Sequence, residues 1–254
     1  MRLSDTTMEN EPKPNQKQVE AHATAAGEKD TYDLKQRAEK EAIPDEDVQK
    51  HWNTRATRED VQSVMSARHT LEENREATRE LVRDIFEFLE GLVEDKNVFE
   101  LGVGIGRMTN ELAKRAKEVT GIDLSPVMLE KAKRNLGELD NVKLMLGKVT
   151  DLELPSKAFD LVFESIVLLH ILNPEELKAT IDKLQKLSDR IFIVEHTYEG
   201  PDFSISKYSI LREPKEYEAL FAPYKLSKQK DVKCAGDRFT MMLFENTVAQ
   251  QSEK

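Results

Sequence analysis

Cysteine is almost missing from this sequence, with Cys234 the single one. No intrachain disulfide can form, so stability has to come from a packed core, and a reducing compartment is expected. Long apolar runs are missing as well. The longest, residues 166–172, is broken by His170 and falls far short of the roughly 20 residues that cross a bilayer. The first ten residues hold no apolar stretch of the kind that heads a secretory signal. These absences predict a soluble cytoplasmic protein with no membrane partner. Aromatics are sparse at 6%, and Trp52 is the only tryptophan. Excess basic charge is also absent: 38 Lys and Arg face 48 Asp and Glu, for a net charge of −10. A general nucleic-acid binder displays a basic face, so nucleic acid is disfavoured as a partner.

What remains suffices for a core. The chain has 254 residues, 39% of them hydrophobic, enough for one α/β domain with appendages. Residues 1–45 are polar, with Pro12, Pro14 and Pro44 and few clustered aliphatics. Such a stretch buries too little apolar surface to offset its chain entropy, so a disordered tail is expected. Residues 247–254 form a second polar tail. Over residues 46–92, Val61, Val64 and Met65, then Leu81, Ile85, Phe88 and Leu89, recur at helical spacing. Thr70 stands three residues before Glu73, a capping-box pattern that starts the second of two helices, and Gly91 is placed to end it.

From residue 97 the period changes. Apolar strand-like runs at 98–101, 119–122, 142–146, 159–163 and 191–194 alternate with helical patterns at 107–117, 126–136 and 174–187. Ser125-Pro126 and Asn173-Pro174 are N-cap and first-turn signals for two of those helices. The alternation predicts βαβ units in a mostly parallel sheet with helices on both faces. Beyond residue 200 the pattern predicts a connector, a short helix near 214–221 and two strands near 224–232 and 238–244.

The most informative segment is Glu100-Leu101-Gly102-Val103-Gly104-Ile105-Gly106-Arg107. A strand enters three glycines at alternate positions and leaves as a helix. In an open α/β sheet this first crossover is where a nucleotide-like ligand sits. Two neighbours narrow the ligand. Arg107 stands where a dinucleotide fingerprint needs its third glycine. Glu100 would repel a pyrophosphate but suits an ammonium or sulfonium. Gly121-Ile122-Asp123 then ends the second strand on an acid suited to ribose hydroxyls. An adenosyl group joined to a cationic amino acid, S-adenosylmethionine (SAM), satisfies both acids.

Those residues carry a family resemblance. Glu100–Gly106 resembles motif I of the class I SAM-dependent methyltransferases, and Gly121-Ile122-Asp123-Leu124-Ser125 resembles their ribose-binding motif. Phe159-Asp160-Leu161-Val162-Phe163, followed by Ser165–His170, resembles their fourth-strand signature. The resemblance spans residues 97–195, with a weaker tail to about 245. It implies a Rossmann-like, seven-stranded sheet over residues 93–246 whose last strand is antiparallel. It also implies SAM contacts at Glu100, Gly102, Gly104, Gly106, Asp123 and Leu124 and in the loop after the third strand. In that loop the family often has an acid beside the glycine, but Lys148 follows Gly147. Adenine recognition then rests on the Val149 amide or on Asp151. Glu164 is placed at the cofactor through either its carbonyl or its side chain. The segment His51–Ala56, with Trp52, resembles the N-terminal lids of small-molecule methyltransferases, so residues 46–92 are expected to be a helical lid.

Methyl transfer is an in-line displacement, and a base is needed only if the acceptor must lose a proton. Candidates at strand ends are Glu195 and His196, a pair after the fifth strand, and His170 beyond the fourth. No metal is called for. Tyr198, Phe203 and Tyr208 could wall an acceptor pocket, and Lys225, Lys228, Lys230 and Lys233 form a modest basic run. The acidic surface favours a small-molecule acceptor. Rival readings are a protein or RNA methyltransferase, and a non-catalytic SAM-binding interaction protein. A nicotinamide oxidoreductase is disfavoured by Arg107 and Glu100. Two substitutions test the loop: Asp123→Ala should weaken SAM binding through lost ribose hydrogen bonds, and Gly104→Val should weaken it by steric exclusion. Normal calorimetric binding by both folded variants would refute the assignment.

Overall fold

The computed structural model describes residues 37–65, 69–197 and 206–247. Residues 37–41 are helical, and α1 (Asp45–Arg55) follows, with a 3-10 turn at Asp60–Ser63. Next come α2 (Leu71–Phe88), β1 (Asn97–Leu101), α3 (Arg107–Ala113), β2 (Glu118–Asp123), α4 (Pro126–Leu136) and β3 (Val142–Leu146). The chain continues as β4 (Leu161–Ser165), α5 (Pro174–Leu187), β5 (Arg190–His196), α6 (Pro214–Leu220), β6 (Lys225–Cys234) and β7 (Asp237–Glu245).

The strands form one sheet in the order β3-β2-β1-β4-β5-β7-β6. β1 to β5 are parallel, and β7 enters antiparallel between β5 and β6. The inner strands read as near-continuous apolar runs because helices cover both faces. On one face Leu81, Ile85 and Phe88 of α2, with Met108 and Leu112 of α3, pack against Val98, Phe163 and Phe192. On the other, Leu177, Ile181 and Leu184 of α5 and Tyr217 of α6 pack against Phe99, Val162 and Ile193. This is the doubly wound sheet that the sequence predicts, with its last strand antiparallel.

Local signals account for most of the boundaries. Thr70 Oγ1 accepts from Glu73 N at 3.2 Å while Glu73 Oε2 accepts from Thr70 N at 2.7 Å, a complete capping box. Ser125 caps α4 and Asn173 caps α5, each with proline at the first position. Where boundaries differ, tertiary contacts decide. β4 runs two residues beyond the expected 163, because Glu164 and Ser165 pair with Ile193 and Val194. The helix expected over 107–117 stops at Ala113, and Lys117 N instead donates to Lys96 O at 2.9 Å. α2 ends at Phe88, and Gly91, with φ +77°, lies in the turn beyond.

The N-terminal expectations change more. Residues 37–45 fall within the expected tail yet are packed. Arg37 pairs with Glu216 at 3.0 Å, and Lys40 Nζ donates to Ser206 O and Ser209 O. Ile43 rests against Val48, Leu172 and Ile210. The tail expected over residues 1–36 lies outside the described residues, as do residues 248–254. The lid expected over 46–92 divides in two. α1 and the following turn cover the carboxyl ends of the strands, whereas α2 is a core helix with Leu81 and Ile85 fully buried. Among the described residues no helix is long and apolar enough to cross a membrane.

Thr70→Ala removes one half of the capping box and is expected to cost about 1 kcal/mol. For a chain of this size that lowers the melting temperature by about 2–4 °C, which thermal unfolding followed by circular dichroism would measure.

Candidate functional site

β1 lies between β2 and β4. The helix after β1 covers one face and the helix after β4 the other, so a crevice opens where the connections diverge. The glycine turn fills its floor. Gly102 has φ +81°, and a Cβ on it would sit 2.2 Å from Val167 Cγ2. Gly104 N donates to Asp123 Oδ2 at 2.7 Å, and Ser125 N donates to Asp123 Oδ1 at 2.8 Å. The acid at the end of β2 thus fixes the turn at the end of β1. Glu100, Gly102, Gly104, Asp123, Leu124, Val149 and His170 all line this one cavity. Gly106 stands behind it as the left-handed N-cap of α3.

Burial sets the charge states. Glu100 is 1% exposed, and desolvation pushes its carboxyl up to about 8 although Thr109 Oγ1 donates to it at 2.6 Å. At neutral pH it is mostly protonated, and an entering cation would drive it to ionise. Asp123 is also raised by burial, against the opposing backbone hydrogen bonds from Ser125 and Gly104.

α1 roofs the cavity. Trp52 and Val48 face into it, and Gln49 Nε2 donates to Leu124 O at 2.8 Å while Ser125 Oγ donates to Asn53 Oδ1 at 2.6 Å. Lys148, which stands where the family often has an acid, pairs with Asp45 of α1 and with Glu176 at 3.6 Å. Val149 lines the cavity, whereas Asp151 is exposed and does not.

The three candidate catalytic residues separate. His170 lies at the cavity wall, edge-on to Trp52 with ring centroids 4.7 Å apart. Its Nδ1 is 2.6 Å from Tyr208 O. A carbonyl only accepts, so Nδ1 carries the proton and Nε2 keeps its lone pair. Burial lowers the imidazole to about 4, which keeps it neutral. Glu195 and His196 do not form a site pair, because successive strand residues point to opposite faces. His196 stacks on Phe239 at 4.9 Å and does not line the cavity.

Glu195 turns inward to Glu164. Both are fully buried side by side, and Glu164 Oε2 and Glu195 Oε2 meet no hydrogen-bond donor among the described residues. Two ionised carboxylates shut away together would be unfavourable, and burial raises both groups well above the ordinary carboxylate range. Glu164 Oε1 accepts from Val167 N and Leu168 N, and Glu195 Oε1 accepts from Leu169 N at 3.2 Å. The pair stands behind the cavity and ties down the loop that forms its wall. Tyr198 and Phe203 lie outside the described residues, and Tyr208 stacks on His51 at 4.2 Å.

Two participants escape sequence reasoning. Arg212, 2% exposed, donates to Leu168 O at 3.1 Å and Ile171 O at 3.3 Å. Its partners are some forty residues away and leave no local pattern. Ile166 lines the cavity at φ +62°, a conformation costing on the order of 1–3 kcal/mol for a non-glycine residue. A β-branched residue gives no warning of it.

The carboxyl pair has a measurable consequence. Its folded-state titration is shifted up from 4.5, so the folded chain binds more protons than the unfolded one above that pH. Stability therefore falls as pH rises from 4.5 toward neutrality. Glu195→Gln should flatten this slope in thermal melts across that range. An unchanged slope would show that the pair shares no proton.

Residues 98–189 match the family described as methyltransferase domain. Over 135 residues the chain is 31% identical to phosphoethanolamine N-methyltransferase 3 of Arabidopsis thaliana, covering 51% of this chain and 28% of that protein. The chain therefore spans little more than a quarter of that relative. Among solved structures, Haemonchus contortus phosphoethanolamine N-methyltransferase 1, with phosphoethanolamine and S-adenosylhomocysteine, superposes with a TM-score of 0.63 at 16% identity. It covers 80% of this chain and 49% of that one. The N-methyltransferase NodS from Bradyrhizobium japonicum, with S-adenosylhomocysteine, gives 0.62 at 15%, covering 79% and 98%. The turn, the acid after it and the strand order agree with these matches: residues 98–189 resemble a methyltransferase domain, and the chain has the fold of these solved methyltransferases.

Proposed function

We propose that this chain transfers a methyl group from SAM to a small-molecule acceptor. The observation that carries the reading is the single cavity in which the glycine turn and Asp123 face Ser165 and His170. Its residues fit the donor. Asp123 has two of its four lone-pair sites taken by backbone amides and can offer the others to ribose hydroxyls. Glu100 supplies a carboxyl for the ammonium. Ser165 Oγ is buried at the cavity without a hydrogen-bond partner among the described residues, which is costly unless a ligand completes it. Gly106 shapes the turn from behind, and Leu124 and Val149 supply the adenine end. Glu164 acts through the loop it holds.

When bound, SAM supplies a methyl group on a positive sulfur, activated toward displacement. The protein's part is alignment and exclusion of water. Trp52, Val64 and Ile166 make an apolar wall, and the Glu164–Glu195 pair and Arg212 fix the segment that carries His170. His170 Nε2 is the group placed to accept a proton or hydrogen bond from the acceptor. Glu195 positions it, and His196 takes no part.

The phosphoethanolamine N-methyltransferases among the relatives support a small polar acceptor. The RNA reading loses ground because Lys228 donates to Phe88 O at 2.6 Å and Lys230 pairs with Asp84. A roof at residues 46–65, a catalytic domain from residue 71 to 246 and cytoplasmic residence complete the proposal. Buried Cys234, its thiol pushed up to about 11, is chemically quiet.

The test is transfer of labelled methyl from SAM across a panel of small amines, acids and phosphoesters. Label should reach at least one metabolite, and His170→Ala should lower kcat by about 10²-fold if the acceptor sheds a proton. Absence of any S-adenosylhomocysteine binding by the folded protein would overturn the reading.

A further inference from the structure

Arg107, the first residue of α3, borders the cavity. Its Nη1 donates to Thr78 Oγ1 at 3.1 Å and to Met65 Sδ at 3.2 Å, both neutral acceptors. Nε and Nη2 make no hydrogen bond among the described residues, and no carboxylate there forms an ion pair with this guanidinium. The acidic groups that act on it are Cys234 and Glu100. Burial raises them to about 11 and about 8, so both are mainly neutral at pH 7. Arginine stays charged in this setting. Lys148, the other cationic side chain lining the cavity, is taken by Asp45 and Glu176, and the imidazole of His170 is neutral. A permanent cation thus faces a largely apolar cavity with its charge unmatched, beside Val64, Met65 and Met108. Arg107 is half-buried, a setting in which a charge gains from a partner, and the open Nε–Nη2 edge is the fork that matches carboxylate or phosphate with two parallel hydrogen bonds.

We infer that Arg107 is the oxyanion site of this cavity and takes a carboxylate or phosphate of a bound ligand in bidentate contact. That chemistry has two sources: the carboxylate of the methyl donor, or an acidic group on the acceptor. Only the first rests on the proposed function.

Binding to the full chain distinguishes them. Calorimetry on wild type, Arg107→Met and Arg107→Lys would use two ligand pairs in which the second member lacks the anion, in the first pair together with the neighbouring ammonium. One pair is S-adenosylhomocysteine and 5′-methylthioadenosine, and the other is phosphoethanolamine and ethanolamine. Arg107→Met is expected to weaken the anionic member of one pair by at least about tenfold and to leave the anion-free member unchanged. Loss confined to the first pair assigns the donor carboxylate, and loss confined to the second assigns the acceptor. Arg107→Lys keeps the charge without the fork and should recover part of the affinity. If Arg107→Met does not fold, Arg107→Lys against wild type makes the same comparison. Thermal melts in inorganic phosphate supply an arm independent of SAM, in which phosphate should raise the melting temperature of wild type more than that of the variant. Wild type that ignores S-adenosylhomocysteine but keeps this phosphate effect would sink the donor reading and leave the Arg107 site standing. Equal behaviour of variant and wild type in every arm, or equal weakening of both members of a pair, would overturn the inference.

Discussion

β1 is hydrogen-bonded on one side to β2 and on the other to β4, and the site depends on that arrangement. The helices that follow β1 and β4 pack on opposite faces of the sheet. The chain therefore parts at the carboxyl end of β1 and leaves a crevice that no side chain of the sheet can fill. The glycine turn, Asp123 and the loop after β4 all border that gap because the strand order puts them there.

The crevice is kept in shape by polar groups withheld from water. Asp123 secures the glycine turn through Gly104 N, and the Glu164–Glu195 pair secures the opposite wall through three consecutive amides. Removing carboxyl groups from water is unfavourable, and the cost is offset in part because Glu164 Oε1 and Glu195 Oε1 meet N–H donors of the loop. Arg212 satisfies carbonyls of the same loop from the other side. Such over-determination is what allows Ile166 to persist at positive φ. The roof is attached differently. α1 is joined through Gln49, Asn53 and Lys148 by bonds to loop and strand-end groups, with Trp52 as its apolar anchor. Few of these contacts are deeply buried, so the roof belongs to the less stable part of the fold.

Much of this was readable along the chain, because the signals are local. Periodicity marked the strands and helices, caps at Thr70, Ser125 and Asn173 marked the helix starts, and the alternate glycines with Asp123 marked the crevice. Reading failed where long-range pairing intervened. Glu195 and His196 look like neighbours in sequence, but strand pleating sends one to Glu164 and the other to Phe239. Residues 37–45 look too polar to pack, but Ile43, Arg37 and Lys40 find partners more than 100 residues away.

The sequence by itself therefore determined the layer order, the parallel sheet and the position of the glycine crevice, since each follows from spacing within some ten residues. Tertiary structure alone decided the raised titration of Glu100 and of the Glu164–Glu195 pair, the tautomer of His170, the division of the expected lid and the placing of Arg107 at the cavity. Those properties depend on which groups are shut away from water together, and burial is a property of the folded assembly rather than of any stretch of chain.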